Sequence, residues 1–127
     1  MNIVLWILQI LLGIYFLFIG FLHLIVPRNL PPPILWMYDL PAWLLYVSGS
    51  TEILGGLGLI LPGLTRIHTW LTPLAASGLV LVMLGAMIYH LTRGEYSFLL
   101  ANLILTALLA FIAYGRWRIK PLPDLSS

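Results

Sequence analysis

Few side chains in this chain of 127 residues can do chemistry, and the sharpest of them sits in the least hospitable place. Glu52 lies about ten residues from either end of a long apolar run, roughly 15 Å deep if that run is a helix crossing a bilayer. A charged carboxylate at that depth costs about 2.5–3.5 kcal/mol even on lenient insertion scales, so it must face protein and be either paired or protonated. Ser48, Gly49, Glu52, Gly55 and Gly56 recur at helical spacing and share one stripe. The stripe has two readings. Small residues admit a neighbouring helix, which makes it a packing seam with a glutamate hydrogen-bonded across it. Alternatively, Glu52 is a buried acid that binds a ligand or relays protons.

A second seam runs through Gln9, Gly13, Phe16, Gly20 and His23. His23 falls about 6 Å inside the end of its apolar run, where it either reaches the headgroups or turns inward to a ligand or to Glu52. His90 shares a face with Ala76, Leu79, Met83 and Ala86, whereas Gly78 and Gly85 mark another face. It is either a solvated histidine at a helix C-terminus, where its charge is favourable, or a third inward polar group. Asn102 and Thr106 are one turn apart, with Ala110 and Ala113 extending a small-residue stripe; such groups commonly form interhelical hydrogen bonds worth about 1 kcal/mol.

Together, His23, His90, Asn102 and the loop residue Asp39 gather in the outer half of the expected bundle, above a mid-membrane Glu52. An apolar cavity with a buried acid and imidazoles suits an amphipathic headgroup that exchanges protons, as a quinone site requires. Two histidines on different helices are also the minimum for bis-imidazole iron. No H-E-x-x-H pattern or third ligand accompanies them, so haem b or another metal site is not expected. His68 falls in a loop and is expected to be solvated.

The elements that must position these residues follow from composition. The chain is 61% hydrophobic and only 8% charged, against roughly a quarter charged in ordinary soluble domains. Four apolar runs, at 3–26, 41–61, 69–91 and 97–115, are each long enough to cross about 30 Å of hydrocarbon as a helix. Pro27, Pro31-Pro32-Pro33, Pro62-Gly63, Arg93-Gly94 and Gly115-Arg116 punctuate them, and Pro62 is read as closing the second. The expected fold is all-α: a single membrane-spanning four-helix bundle with short loops. The first run lacks a basic leader and an A-x-A cleavage site and is expected to be a retained span.

Arg66, Arg116, Arg118 and Lys120 lie on the side of the bundle that holds both termini, which places the termini in the cytoplasm. Trp36, Tyr38, Trp43, Trp70, Tyr89, Tyr96, Tyr114 and Trp117 fall near the expected interfaces. A short interfacial element is expected within 27–40. The charges are scattered, so no nucleic-acid surface is expected, and the absence of cysteine excludes thiol exchange and cysteine-held clusters. Phosphate-loop, dinucleotide and nucleophile-elbow motifs are also absent.

The chain resembles the DoxX family of small four-span membrane proteins. Three places carry the likeness: Phe18-Ile19-Gly20-Phe21-Leu22-His23 with Pro27, Ser48-Gly49-Ser50-Thr51-Glu52-Ile53-Leu54-Gly55-Gly56-Leu57-Gly58-Leu59 with Pro62, and Tyr114-Gly115-Arg116. Family members resemble the DoxD-type quinone-reducing subunit of thiosulfate:quinone oxidoreductase. The resemblance therefore implies a quinone-interacting redox subunit in a bacterial or archaeal plasma membrane. Read from the residues rather than from the resemblance, the expected site has Glu52 and His23 as catalytic residues and Glu52, His23, His90, Asn102 and Ser48 as the quinone pocket, with the Arg116, Trp117, Arg118 and Lys120 segment docking an electron-donating partner. Two other readings stand beside it: a non-catalytic scaffold or assembly factor that packs against client helices, and a homo-oligomeric pathway for a solute or protons.

Overall fold

A computed structural model describes residues 2–25, 42–94, 96 and 99–123. The expected interfacial element at 27–40, with Trp36, Tyr38 and Asp39, lies outside the described residues. Four helices form, α1 (Asn2–Ile25), α2 (Ala42–Thr65), α3 (Leu71–Thr92) and α4 (Leu99–Tyr114), and a π-helical turn, Gly115–Ile119, prolongs the last. All are long and apolar enough to cross a membrane once that turn is counted with α4. Their outward faces carry large apolar side chains such as Ile3, Phe18, Leu54, Leu81 and Leu100, which water would not tolerate in such density. The protein is a small integral membrane protein with an all-α four-helix bundle fold. Trp43, Trp70, Tyr96, Tyr114 and Trp117 are exposed near the helix ends, the level of the headgroups.

The second helix does not stop at Pro62 but continues to Thr65, contrary to the sequence expectation. A proline lacks the N–H that would bond the carbonyl four residues earlier, here that of Gly58. The Thr72 hydroxyl of α3 donates to that carbonyl instead, at 2.8 Å. The next carbonyl, Leu59, accepts from Gln9 Nε2 of α1, also at 2.8 Å. Neighbouring helices thus supply donors at the break, as backbone inside a bilayer requires. At the other punctuation the expectation holds: α3 ends at Thr92, and Gly94, at φ 72°, adopts the left-handed conformation that stops a helix.

Helices α1 and α2 are antiparallel and meet through glycines. A Cβ placed on Gly49 would lie 2.8 Å from the Gly20 carbonyl oxygen, and one on Gly56 would lie 2.8 Å from that of Gly13. Backbone meets backbone here, which is the use of small residues between membrane helices. Gly55 and Gly58, in contrast, face Leu79 and Ala75 of α3. The single stripe read from the sequence is therefore divided between two neighbours. Glu52 falls between the two contact lines and is carried to the bundle interior, 3% exposed.

Leu5, Leu12, Phe16, Leu59, Leu79, Met83, Leu109 and Ile112 make the apolar core. On α4 the inward residues are Leu109 and Ile112, whereas Ala110 is exposed. Of the expected small-residue stripe, Asn102 and Ala113 face the interior and Ala110 turns outward. Thr106 donates to its own helix at the Asn102 carbonyl, 2.7 Å away, rather than across to a neighbour. The π-helical turn is closed by Lys120 N–H to the Gly115 carbonyl at 2.7 Å, and Leu122 beyond it is buried against the bundle end, where its carbonyl accepts from Thr69.

Gly49→Leu is expected to force α1 and α2 apart and lower unfolding stability in detergent by about 1–3 kcal/mol. Gly78→Ala, at a position with nothing within 4 Å of the added carbon, is expected to leave it unchanged or slightly raised. Thermal unfolding of the two variants side by side checks both.

Candidate functional site

Two polar clusters lie inside the bundle, and they differ in how completely their hydrogen bonds are satisfied. The first is near the N-terminal end. Arg116, in the π-helical turn, is 2% exposed. Its Nε donates to Gln9 Oε1, its Nη1 donates to Asn2 Oδ1 at 2.8 Å and to the Lys120 carbonyl at 3.0 Å, and the guanidinium lies 5.6 Å from the centre of the Trp6 ring. Gln9 in turn donates to the Leu59 carbonyl, so one chain of bonds joins the π-helical turn, α1 and α2. The expected docking role of Arg116 is corrected accordingly: its side chain points inward and is used up in holding the helix ends together.

The second cluster is in the opposite half; along their whole lengths α1 and α4 touch far less than the sequential helix pairs do. A cavity of about 410 Å³ opens there, within the range of small-molecule sites. All five site residues expected from the sequence line it: His23 from α1, Ser48 and Glu52 from α2, His90 from α3 and Asn102 from α4. Its walls are otherwise mostly apolar, with Phe16, Ile19, Val82, Met83 and Leu105 among them. His90, for which a solvated position was the alternative, is buried.

His23 and Glu52 meet at the centre of this cavity wall. His23 Nδ1 is 2.8 Å from the Ile19 carbonyl one turn back and 3.1 Å from Glu52 Oε2. A carbonyl oxygen only accepts, so Nδ1 must be the donor and carry the hydrogen. With that single hydrogen committed to Ile19, Glu52 Oε2 is close to the imidazole yet makes no well-formed hydrogen bond. It is one of three buried side-chain atoms without a hydrogen-bond partner among the described residues; the others are Tyr89 Oη and Asn102 Nδ2. All three residues line the same cavity. Buried polar groups are nearly always satisfied, and a local concentration of exceptions marks a place shaped for something other than stability.

The DoxX-like family matches residues 7–112, a stretch that includes all five of these residues. The chain belongs to the DoxX-like family. No curated protein and no solved structure matches it significantly. Membership accounts for the four-span bundle, while the chemistry of the cavity has to be read from its side chains.

Tyr89 and Tyr15 also line the cavity and were not singled out from the sequence, where Tyr89 read as part of an interfacial belt. The signal was available in the spacing, because Val82, Ala86 and Tyr89 share a face of α3 and all three contribute to the cavity wall. Thr51 lines it as well, although its hydroxyl is occupied by the Val47 carbonyl at 2.7 Å. His68 is exposed in the loop beyond α2, as expected.

The two clusters should respond oppositely to substitution. Arg116→Met removes a satisfied donor and strands Gln9 Oε1, with an expected loss of about 1–3 kcal/mol. Glu52→Gln removes a poorly paired carboxylate and is expected to change stability by less than about 1 kcal/mol, or to raise it, the pattern of a residue kept for function. Unfolding midpoints in one detergent decide this.

Proposed function

We propose that the protein is a quinone-interacting redox subunit of a larger membrane assembly, residing in the plasma membrane of a bacterium or archaeon with both termini in the cytoplasm. The observation that carries this reading is the joining, in one largely apolar cavity, of the His23–Glu52 pair with the unpaired polar atoms of Tyr89 and Asn102. A bound quinone would supply the two-electron, two-proton couple that these side chains lack. The residues themselves would bind and position the ring and manage its protons. Asn102 Nδ2 and Tyr89 Oη offer hydrogen bonds to ring oxygens, Glu52 holds or releases a proton beside His23, and His90 and Ser48 complete the polar edge. Phe16, Val82 and Met83 keep bulk water from the reacting end.

With no cysteine in the chain, electrons have to come from a partner protein or its cofactor. Trp117, Arg118 and Lys120 remain exposed on the side carrying the C-terminal segment and form the docking surface in this reading. The scaffold reading has a separate support: Gly78 lies on α3 with nothing within 4 Å of where a side chain would start, which leaves room for a client helix.

Quinone should co-purify with the protein from native membranes and be detectable by mass spectrometry of a solvent extract. In the intact assembly, Glu52→Gln and His23→Ala are each expected to lower quinol formation by about 10²-fold or more, the scale of a lost acid–base group. Unaltered turnover in both variants and an extract without quinone would sink the redox reading in favour of scaffolding. Reporter fusions at either terminus should be active only in the form that folds in the cytoplasm; an active periplasmic reporter would reverse the assigned orientation.

A further inference from the structure

We infer that the cavity is built for the reduced, hydroxyl-bearing form of the ring, a hydroquinone, in preference to the dicarbonyl quinone. This rests on the quinone reading above and concerns which redox form the site favours. The argument starts from the hydrogen on His23 Nδ1. Because the Ile19 carbonyl fixes that hydrogen on Nδ1, the neighbouring Glu52 Oε2 presents a lone pair, not a proton. As a carboxylate beside His23, Glu52 offers Oε2 only as an acceptor. The unpaired atoms of the cavity are therefore an acceptor at the Glu52 carboxylate Oε2, a donor at Asn102 Nδ2, and a hydroxyl at Tyr89 that can do either.

A dicarbonyl ring brings only acceptors. It can take hydrogen bonds from Asn102 and Tyr89, but it offers nothing to Glu52 and sets lone pairs against lone pairs there. A hydroquinone brings an O–H at each oxygen: it donates to Glu52 Oε2, and its oxygens still accept from Asn102 Nδ2 and Tyr89 Oη. Only the hydroxyl-bearing ring satisfies every unpaired atom in the cavity. Leaving a buried acceptor unmade is what separates the two forms, since desolvating a polar group without replacing its partner is costlier than a hydrogen bond is favourable.

The test is calorimetric titration of purified protein in nanodiscs with decyl-substituted benzoquinone and, under anaerobic conditions, with the same compound fully reduced. The reduced form is expected to bind at least about tenfold more tightly, equivalent to about 1.4 kcal/mol. Glu52→Met, which removes the acceptor, is expected to bring the two affinities together, and Glu52→Gln, whose amide oxygen still accepts, to leave a smaller preference. Equal or tighter binding of the oxidised form by the unaltered protein overturns this inference while leaving the quinone reading intact. A preference that persists undiminished in Glu52→Met overturns the assignment to Glu52. Binding of neither form removes both this inference and the reading beneath it.

Discussion

A carboxylate in the middle of a bilayer has to be sheltered, and here the shelter is a backbone contact. Gly20 and Gly49 let α1 and α2 approach until the carbonyl of one lies where the side chain of the other would begin. That approach brings His23 over Glu52 at 3.1 Å. The cost of an intramembrane acid is met by a neighbour that can carry the compensating charge and by burial away from lipid. A larger residue at either glycine would push the two helices apart and with them the pair.

The bundle handles its two polar interiors in opposite ways. Near the N-terminal end, Arg116, Gln9 and the carbonyl left accessible beside Pro62 complete one another, and α1, α2 and the π-helical turn are tied together by the result. In the other half, Glu52, Tyr89 and Asn102 retain unused hydrogen-bonding capacity around a cavity lined by all four helices. A satisfied network stiffens the end that holds the helices in register. The unsatisfied one surrounds open space instead.

Most of the architecture was legible in the sequence because lipid permits so few solutions: four long apolar runs had to be four helices. The inward direction of Glu52 and the α1 seam through Gln9, Gly13, Phe16, Gly20 and His23 followed from spacing alone. Three features did not. Pro62 reads as a helix stop unless one knows that Thr72, from another helix, will donate to Gly58. Arg116 reads as a cytoplasmic charge unless Gln9 is known to lie beside it. Tyr89 reads as an interfacial ring, because aromatic residues near helix ends usually are. The first two depend on a partner distant in the chain, which no local pattern contains.

The central claim is that Glu52 faces a ligand-sized space shared with His23, Tyr89 and Asn102. An experimental structure of the protein extracted with its native lipids tests this most directly. The account predicts a planar, non-protein density in the cavity, within hydrogen-bonding reach of the Glu52 carboxylate. Glu52 turned outward to acyl chains, or side chains closing the cavity into a solid core around it, would contradict the account and leave only the bundle standing.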